Sequence, residues 1–166
     1  MNNLSHFDET GKISMVDVSE KETTTRRAVA SGKVLLSTET LQKLQSQPNK
    51  KGDPLEISRI AGIMAAKKTS DLIPLCHQIN LSKVNVTAEF RDFGVYLEAE
   101  AITTAQTGIE MEALTAISVA ALTIYDMCKA VQKNIIITDI HLLLKTGGRS
   151  DYTASERHPK SASLCS

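Results

Sequence analysis

The sequence predicts an α+β fold, a ferredoxin-like β-α-β-β-α-β sandwich whose antiparallel sheet carries its helices on one face. Three observations lead there. Residues 81–90 and 93–101 both alternate apolar with polar side chains across Arg91-Asp92, the pattern of a hairpin with one covered face. An amphipathic helical segment precedes that hairpin and a long apolar one follows it. A β-rich run stands at each end of the set, so with one short helix set aside the order is β-α-β-β-α-β.

In chain order, residues 13–18 form a short extended candidate, and residues 27–36 read as the first strand, with Val29, Val34, Leu35 and Leu36 as its apolar groups. Ser37 caps a short helix reaching Leu44, and residues 45–51 form a polar loop around Pro48. Asp53, Pro54 and Glu56 then give a sharp helix start, with Ile57, Ile60, Ala61, Met64 and Ala65 as the expected core face. Pro74 ends any continuation. In the hairpin, Val84, Val86, Ala88 and Phe90, then Phe93, Val95, Leu97, Ala99 and Ala101, point to the core, while Thr87, Glu89, Tyr96, Glu98 and Glu100 line a wet or partner-covered face. Thr107 and Glu110 form a capping box for the long helix, expected to run to Gln132 or Lys133 with both flanks covered. Residues 135–138 and 140–144 supply the last strand. Residues 1–146 make one domain, and 147–166, small and polar, read as a glycine-containing loop and a mobile C-terminal tail.

At 166 residues and 42% apolar content the chain can build a proper core, made of aliphatic side chains since aromatics are only 4%. Lys plus Arg and Asp plus Glu are both 19, which argues against general nucleic-acid binding and is compatible with an oligomer. Cys76, Cys128 and Cys165 form no CxxC pair, the N-terminus has no secretory pattern, and no apolar run is read as membrane-spanning. A cytoplasmic protein is expected.

The most informative residues are Asp126 and Lys129. Three positions apart on a helix, they share one face, and charges on a covered helix need partners or a solvent-filled pocket. That suggests an acid–base site, the alternative being a structural ion pair at a subunit interface. Lys51 precedes a helix start, where anions bind, or is a solvated loop lysine. Lys67 suits a helix end and Arg26 a strand edge; yet with Lys51 and Lys129 they offer charge for a polyphosphate in a chain lacking GxGxxG and Walker loops. His77 lies in an irregular stretch and can shuttle protons, whereas its neighbour Cys76 reads as buried and inert. Glu110 is explained by capping; Glu112 has no structural excuse and faces elsewhere. His6, His77, His141 and His158 are scattered, so no metal site is expected.

The segments Met15-Val16-Asp17-Val18-Ser19, Lys51-Gly52-Asp53, Ala61-Gly62-Ile63, Asp71-Leu72-Ile73-Pro74-Leu75-Cys76-His77 and Leu81-Ser82-Lys83-Val84 carry a family likeness. Most specific is Thr107-Gly108-Ile109-Glu110-Met111-Glu112-Ala113-Leu114, continuing from Val119 through Tyr125-Asp126-Met127-Cys128-Lys129 to Val131. Over about residues 4–150 the chain resembles the cyclic pyranopterin monophosphate synthase family, molybdenum cofactor biosynthesis protein C. The resemblance implies conversion of 3′,8-cyclo-7,8-dihydro-GTP, supplied by a radical S-adenosylmethionine enzyme, to cyclic pyranopterin monophosphate and pyrophosphate. It implies a hexamer, a trimer of dimers with interfacial active sites, no organic cofactor, and Mg2+ as an option at the triphosphate. Asp126 and Lys129 become catalytic. Lys51, Arg26 and Lys67 take the phosphates, and Cys76, His77, Glu110, Met111 and Glu112 bind substrate. Departures are Gln78, where proline is common, and Asp151, where glycine is frequent. Two rivals remain: a non-catalytic ferredoxin-like module binding a small anion, and a purely structural oligomer.

Overall fold

The computed structural model describes residues 6–7, 10–46 and 52–155. Its elements are β1 (Thr24–Leu35), α1 (Thr38–Ser46), α2 (Pro54–Ala66), α3 (Thr69–Leu72), β2 (Leu81–Arg91), β3 (Gly94–Ala105), α4 (Glu110–Cys128), β4 (Ile136–Thr146) and β5 (Tyr152–Thr153). The sheet order is β2-β3-β1-β4-β5, antiparallel throughout. Without the two-residue β5 this is the ferredoxin-like arrangement.

The alternation in the hairpin does what its pattern requires. Val95, Leu97, Ala99 and Ala101 of β3, with Val86 of β2 and Ala28, Ala30 and Val34 of β1, meet Ile117, Ala120, Ala121 and Ile124 of α4 in one core. The opposite sheet face is polar, with Glu100 accepting from Arg27 Nε and Lys83 Nζ, each at 2.7 Å. At the hairpin's end Gly94 has φ +137°, and a Cβ there would lie 2.1 Å from the Val34 carbonyl, so the turn accepts no larger residue.

Two helix starts match their signals. Ser37 Oγ accepts from the Thr40 amide at 3.2 Å, and Asp53 caps α2 through the Leu55 amide at 2.9 Å. Of the expected core face of α2, Ala65 is buried, Ile57 and Ala61 are half-buried, and the two largest side chains point elsewhere. Ser58, Gly62, Ala65 and Ala66 are buried, whereas Ile60 and Met64 are exposed. The cause is close helix approach: a Cβ on Gly62 would sit 2.9 Å from the Ala116 carbonyl of α4, so small residues face inward and the large ones are left outside.

The long helix also differs. It starts at Glu110 behind Ile109, with no side-chain cap, and it stops at Cys128 with Lys129 as C-cap. Thr107 therefore caps nothing, and Glu110 serves an ion pair with Lys145 instead. One stripe, including Leu122 and Asp126, stays open in the single chain, so the fold of one subunit covers only one flank of the helix. By length and composition α4 is apolar enough to cross a membrane, contrary to the reading of the sequence, but half of it is buried within this fold, where it serves as the core helix. Residues 13–18 form no strand beyond an isolated bridge from Ile13 to Phe7. In the expected tail, β5 pairs with Leu144 and Lys145, the Ala154 amide donates to the Leu143 carbonyl at 2.8 Å, and Asp151 accepts from the Gly147 amide at 3.2 Å. That part is thus held to the sheet; residues 156–166 lie outside the described residues.

Candidate active site

The start of α4 is where the chain gathers its chemical groups. A cavity of about 370 Å³ opens there, between the first turn of α4, the irregular stretch after α3 and the segment leading into β1. Cys76, His77, Glu110, Met111 and Glu112 line it, five of the residues expected from the sequence, with Lys21 added. Unpaired amides of a helix's first turn favour negative charge in such a place.

Glu112 is the unusual group. It is 4% exposed, and its Oε2 is buried without a hydrogen-bond partner among the described residues. Burial pushes its pKa up to about 7, against a bond from its own backbone amide and helped by the charge of Glu110. Glu110 is held differently, its Oε1 accepting from Lys145 Nζ at 2.9 Å. Two carboxyls of one turn thus have opposite surroundings, and both reach the same cavity, not different sides as two-residue spacing suggested. His77 Nε2 lies 2.8 Å from the Val16 carbonyl, which can only accept, so Nε2 carries a hydrogen and Nδ1 is the ring nitrogen left to exchange protons. Burial, followed by the Glu112 charge, raises the Cys76 thiol, which keeps it protonated and argues against a nucleophile.

A surface of mixed charge continues from this cavity, with Lys21, Arg26 and Arg149 set against Glu20 and Glu22. Arg26 donates from Nε to Ala105 and from Nη2 to Gln106, which fixes its guanidinium beside Gly147, Gly148, Arg149 and Lys21 around a second hollow of about 400 Å³. Gly147 has φ +86° and a Cβ there would meet the Thr25 carbonyl at 1.9 Å, so the loop runs flat against β1. Lys145 lies between the two hollows, in a small cleft that it lines with Glu110 and Arg26. Lys21, Lys145 and Arg149 were missed by the sequence reading. Lys145 had a signal, a charge closing the apolar run 140–144; Lys21 had none, since Gln106 draws its backbone to the site from afar in sequence, with Nε2 donating to the Lys21 carbonyl at 3.0 Å.

The remaining expected residues are not gathered there. Asp126 and Lys129 do pair, Oδ1 to Nζ 2.6 Å, but their side chains are 54% and 57% exposed and line none of the described cavities. The shared enclosure expected for them is absent within one chain. The carboxylate of Asp126 raises the Lys129 pKa, so Lys129 is a firmly protonated acid, not a lysine of lowered pKa. Fourteen helical positions separate Glu112 from Asp126, roughly 21 Å along α4. Lys67 is exposed at the α2 C-cap, and Lys51 lies outside the described residues. No group of three or more His, Cys, Asp or Glu among the described residues is placed to hold a metal ion.

A sequence profile described as the MoaC family matches residues 15–148. Among similar proteins, a cyclic pyranopterin monophosphate synthase of Heliobacterium modesticaldum is 52% identical, over 94% of this chain and 99% of the relative. One from Cereibacter sphaeroides is 57% identical over 90% of this chain and 96% of its own, and one from Desulforapulum autotrophicum is 50% identical over 95% and 98%.

Proposed function

The chain belongs to the MoaC family and acts in molybdenum cofactor biosynthesis as a cyclic pyranopterin monophosphate synthase; we propose that it does so by converting 3′,8-cyclo-7,8-dihydro-GTP into cyclic pyranopterin monophosphate and pyrophosphate. The observation that carries this chemistry is the α4 cavity, where a buried carboxyl with no partner among the described residues and the His77 imidazole adjoin the cations Lys21, Arg26 and Arg149 of a mixed-charge hollow.

The ring system of the substrate lies in the cavity against Glu112, His77 and Met111. Its triphosphate runs over Arg26, Lys21 and Arg149, with Lys51 and Lys67 as further cations. There a ribose hydroxyl attacks the α-phosphate, and fixed positive charge stabilises the oxygens as pyrophosphate leaves. The five-membered purine ring opens by hydrolysis and re-closes as a pterin, and each of these steps moves protons. His77 Nδ1 takes protons and the Lys129 ammonium supplies them, with Asp126 holding that ammonium charged. Mg2+, where used, enters as the counter-ion of the triphosphate, since the described residues form no metal cluster. No organic cofactor takes part.

The separation along α4 gives the assembly its reason. Asp126 and Lys129 reach a cavity only if another copy presents one, so the active site is shared between subunits, in a hexamer built as a trimer of dimers. The exposed Ile60, Met64 and Leu122 are suited to such contacts. The substrate comes from a radical S-adenosylmethionine enzyme, and the free thiols of Cys76 and Cys128 suit a cytoplasmic setting.

Incubation of the purified protein with the cyclised GTP intermediate tests the reading: stoichiometric pyrophosphate and an oxidisable pterin are expected, and tight binding without either product overturns it. Lys129→Ala should lower kcat by about a hundredfold or more while the oligomer persists. Undiminished turnover in the intact oligomer removes Lys129 from the mechanism.

A further inference from the structure

The segment before β1 carries one of the site's cations with no regular structure to place it. Residues 16–22 belong to no helix or strand, and along them the signs alternate through Glu20, Lys21 and Glu22. All three border the second hollow, but Lys21 is the one among them that also lines the α4 cavity. A slip of one residue would put a carboxylate where the ammonium stands, so the register of this stretch decides which sign of charge the site presents.

A turn shapes the stretch locally. Asp17 Oδ1 accepts from the Ser19 amide at 2.9 Å and from the Ser19 hydroxyl at 2.6 Å, and the Lys21 amide donates to the Val18 carbonyl at 3.0 Å. These bonds close the turn without tying it to the rest of the fold. His77 holds the Val16 carbonyl upstream of the turn, and Gln106 holds the turn itself. Gln106 stands between β3 and α4, and its Nε2 donates to the Ser19 carbonyl at 3.3 Å and to the Lys21 carbonyl at 3.0 Å. Carbonyls can only accept, so the amide nitrogen faces both, and its two hydrogens meet two acceptors. The main chain of the same residue has a separate task, its carbonyl accepting from Arg26 Nη2 at 3.2 Å. We infer that Gln106 is a positioning residue, whose side-chain amide grips the carbonyls of Ser19 and Lys21 so that Lys21, and neither neighbouring glutamate, is presented to the triphosphate of the substrate. This role rests on the proposed function, which sets the triphosphate over Lys21, Arg26 and Arg149. Arg26 needs no help from that amide, because the main-chain carbonyls of Ala105 and Gln106 hold its guanidinium.

That asymmetry gives the test. Gln106→Met keeps the side chain near its original length and volume, adds no charge and removes both donors. It should lower kcat/KM for the cyclised GTP intermediate about tenfold, as expected when two hydrogen bonds of ordinary net strength are lost. On a Lys21→Ala background the same substitution should cost less than about twofold, since the group it positions is gone. On an Arg26→Ala background the full loss should persist. Equal losses on every background, or no loss in the otherwise wild-type protein, overturn the inference. Other cations at the triphosphate, Lys51 among them, do not disturb this comparison, because each cycle isolates one pair. A second measurement needs no variant. Acylation of Lys21 in the wild-type protein, followed by peptide mass mapping, should be suppressed by saturating inorganic triphosphate. Unchanged labelling overturns the inference too, whether or not Gln106→Met folds. Failure of the proposed function looks different, since wild-type protein then releases no pyrophosphate from the intermediate.

Discussion

Glu112 holds its proton more tightly in the folded chain than in the unfolded one, because its carboxyl is buried with no partner for Oε2 among the described residues. Between its ordinary value of 4.5 and about 7 the native state therefore binds more protons than the unfolded state, and stability falls as pH rises through that window. The full loss, reached above about pH 7, is roughly 3 kcal/mol at 1.36 kcal/mol per unit. Glu112→Gln has no such term. Denaturant unfolding should find the two proteins similar at pH 5, with the Gln variant the more stable by up to about 3 kcal/mol at pH 8.5. A stability difference independent of pH contradicts the buried acid. This residue was legible in the sequence, since a glutamate two places after Glu110 had no capping role to explain it. The Asp126–Lys129 contact was legible too, from spacing alone. Its exposure was not, because helical periodicity tells which residues share a face but not whether a neighbouring element covers that face.

At the scale of elements, α2 against α4 shows where residue size misleads. Ile60 and Met64 look like core residues and lie outside, while Gly62 and the alanines bring two helix backbones close together. Gly62→Val places methyl groups where a Cβ already meets the Ala116 carbonyl at 2.9 Å and the Val86 side chain at 3.2 Å. The helices must separate, and a loss of about 2 kcal/mol or more is expected in thermal or denaturant unfolding. Ile60→Gln, on the opposite face, should leave the stability of a single subunit within about 0.5 kcal/mol. Equal effects at both positions would mean the packing is misjudged. The strands were read more reliably than this helix, because a period of two admits only two faces and the polar one was plain in Glu89, Glu98 and Glu100. The turn of β5 back onto β4 had no such period to announce it. It is made by two residues and by Asp151 accepting from the Gly147 amide, a contact between side chain and backbone that composition does not reveal.

The whole molecule must then solve a problem of distance. The cavity sits at one end of α4 and the Asp126–Lys129 pair at the other, roughly 21 Å away, and a helix does not fold back on itself. If both serve one reaction, each site takes its cavity from one subunit and its acid–amine pair from another. A chain carrying His77→Ala and a chain carrying Lys129→Ala should then each be inactive alone and yet restore one another when unfolded together and reassembled. In a two-fold dimer formed at random from equal amounts, half of the dimers are mixed, and each mixed dimer has one site with both wild-type residues and one with neither. Turnover should recover to about a quarter of the wild-type value. The same mixture made without reassembly should stay inactive, which separates exchange of subunits from residual activity. If one chain held the whole site, every site in the mixture would lack a group and the recovery would be nil. If the site is shared in this way and α2 lies in the contact, Met64→Asp, on its exposed face, should sediment as a single subunit and lose turnover, because one subunit with an intact fold would lack half of the machinery.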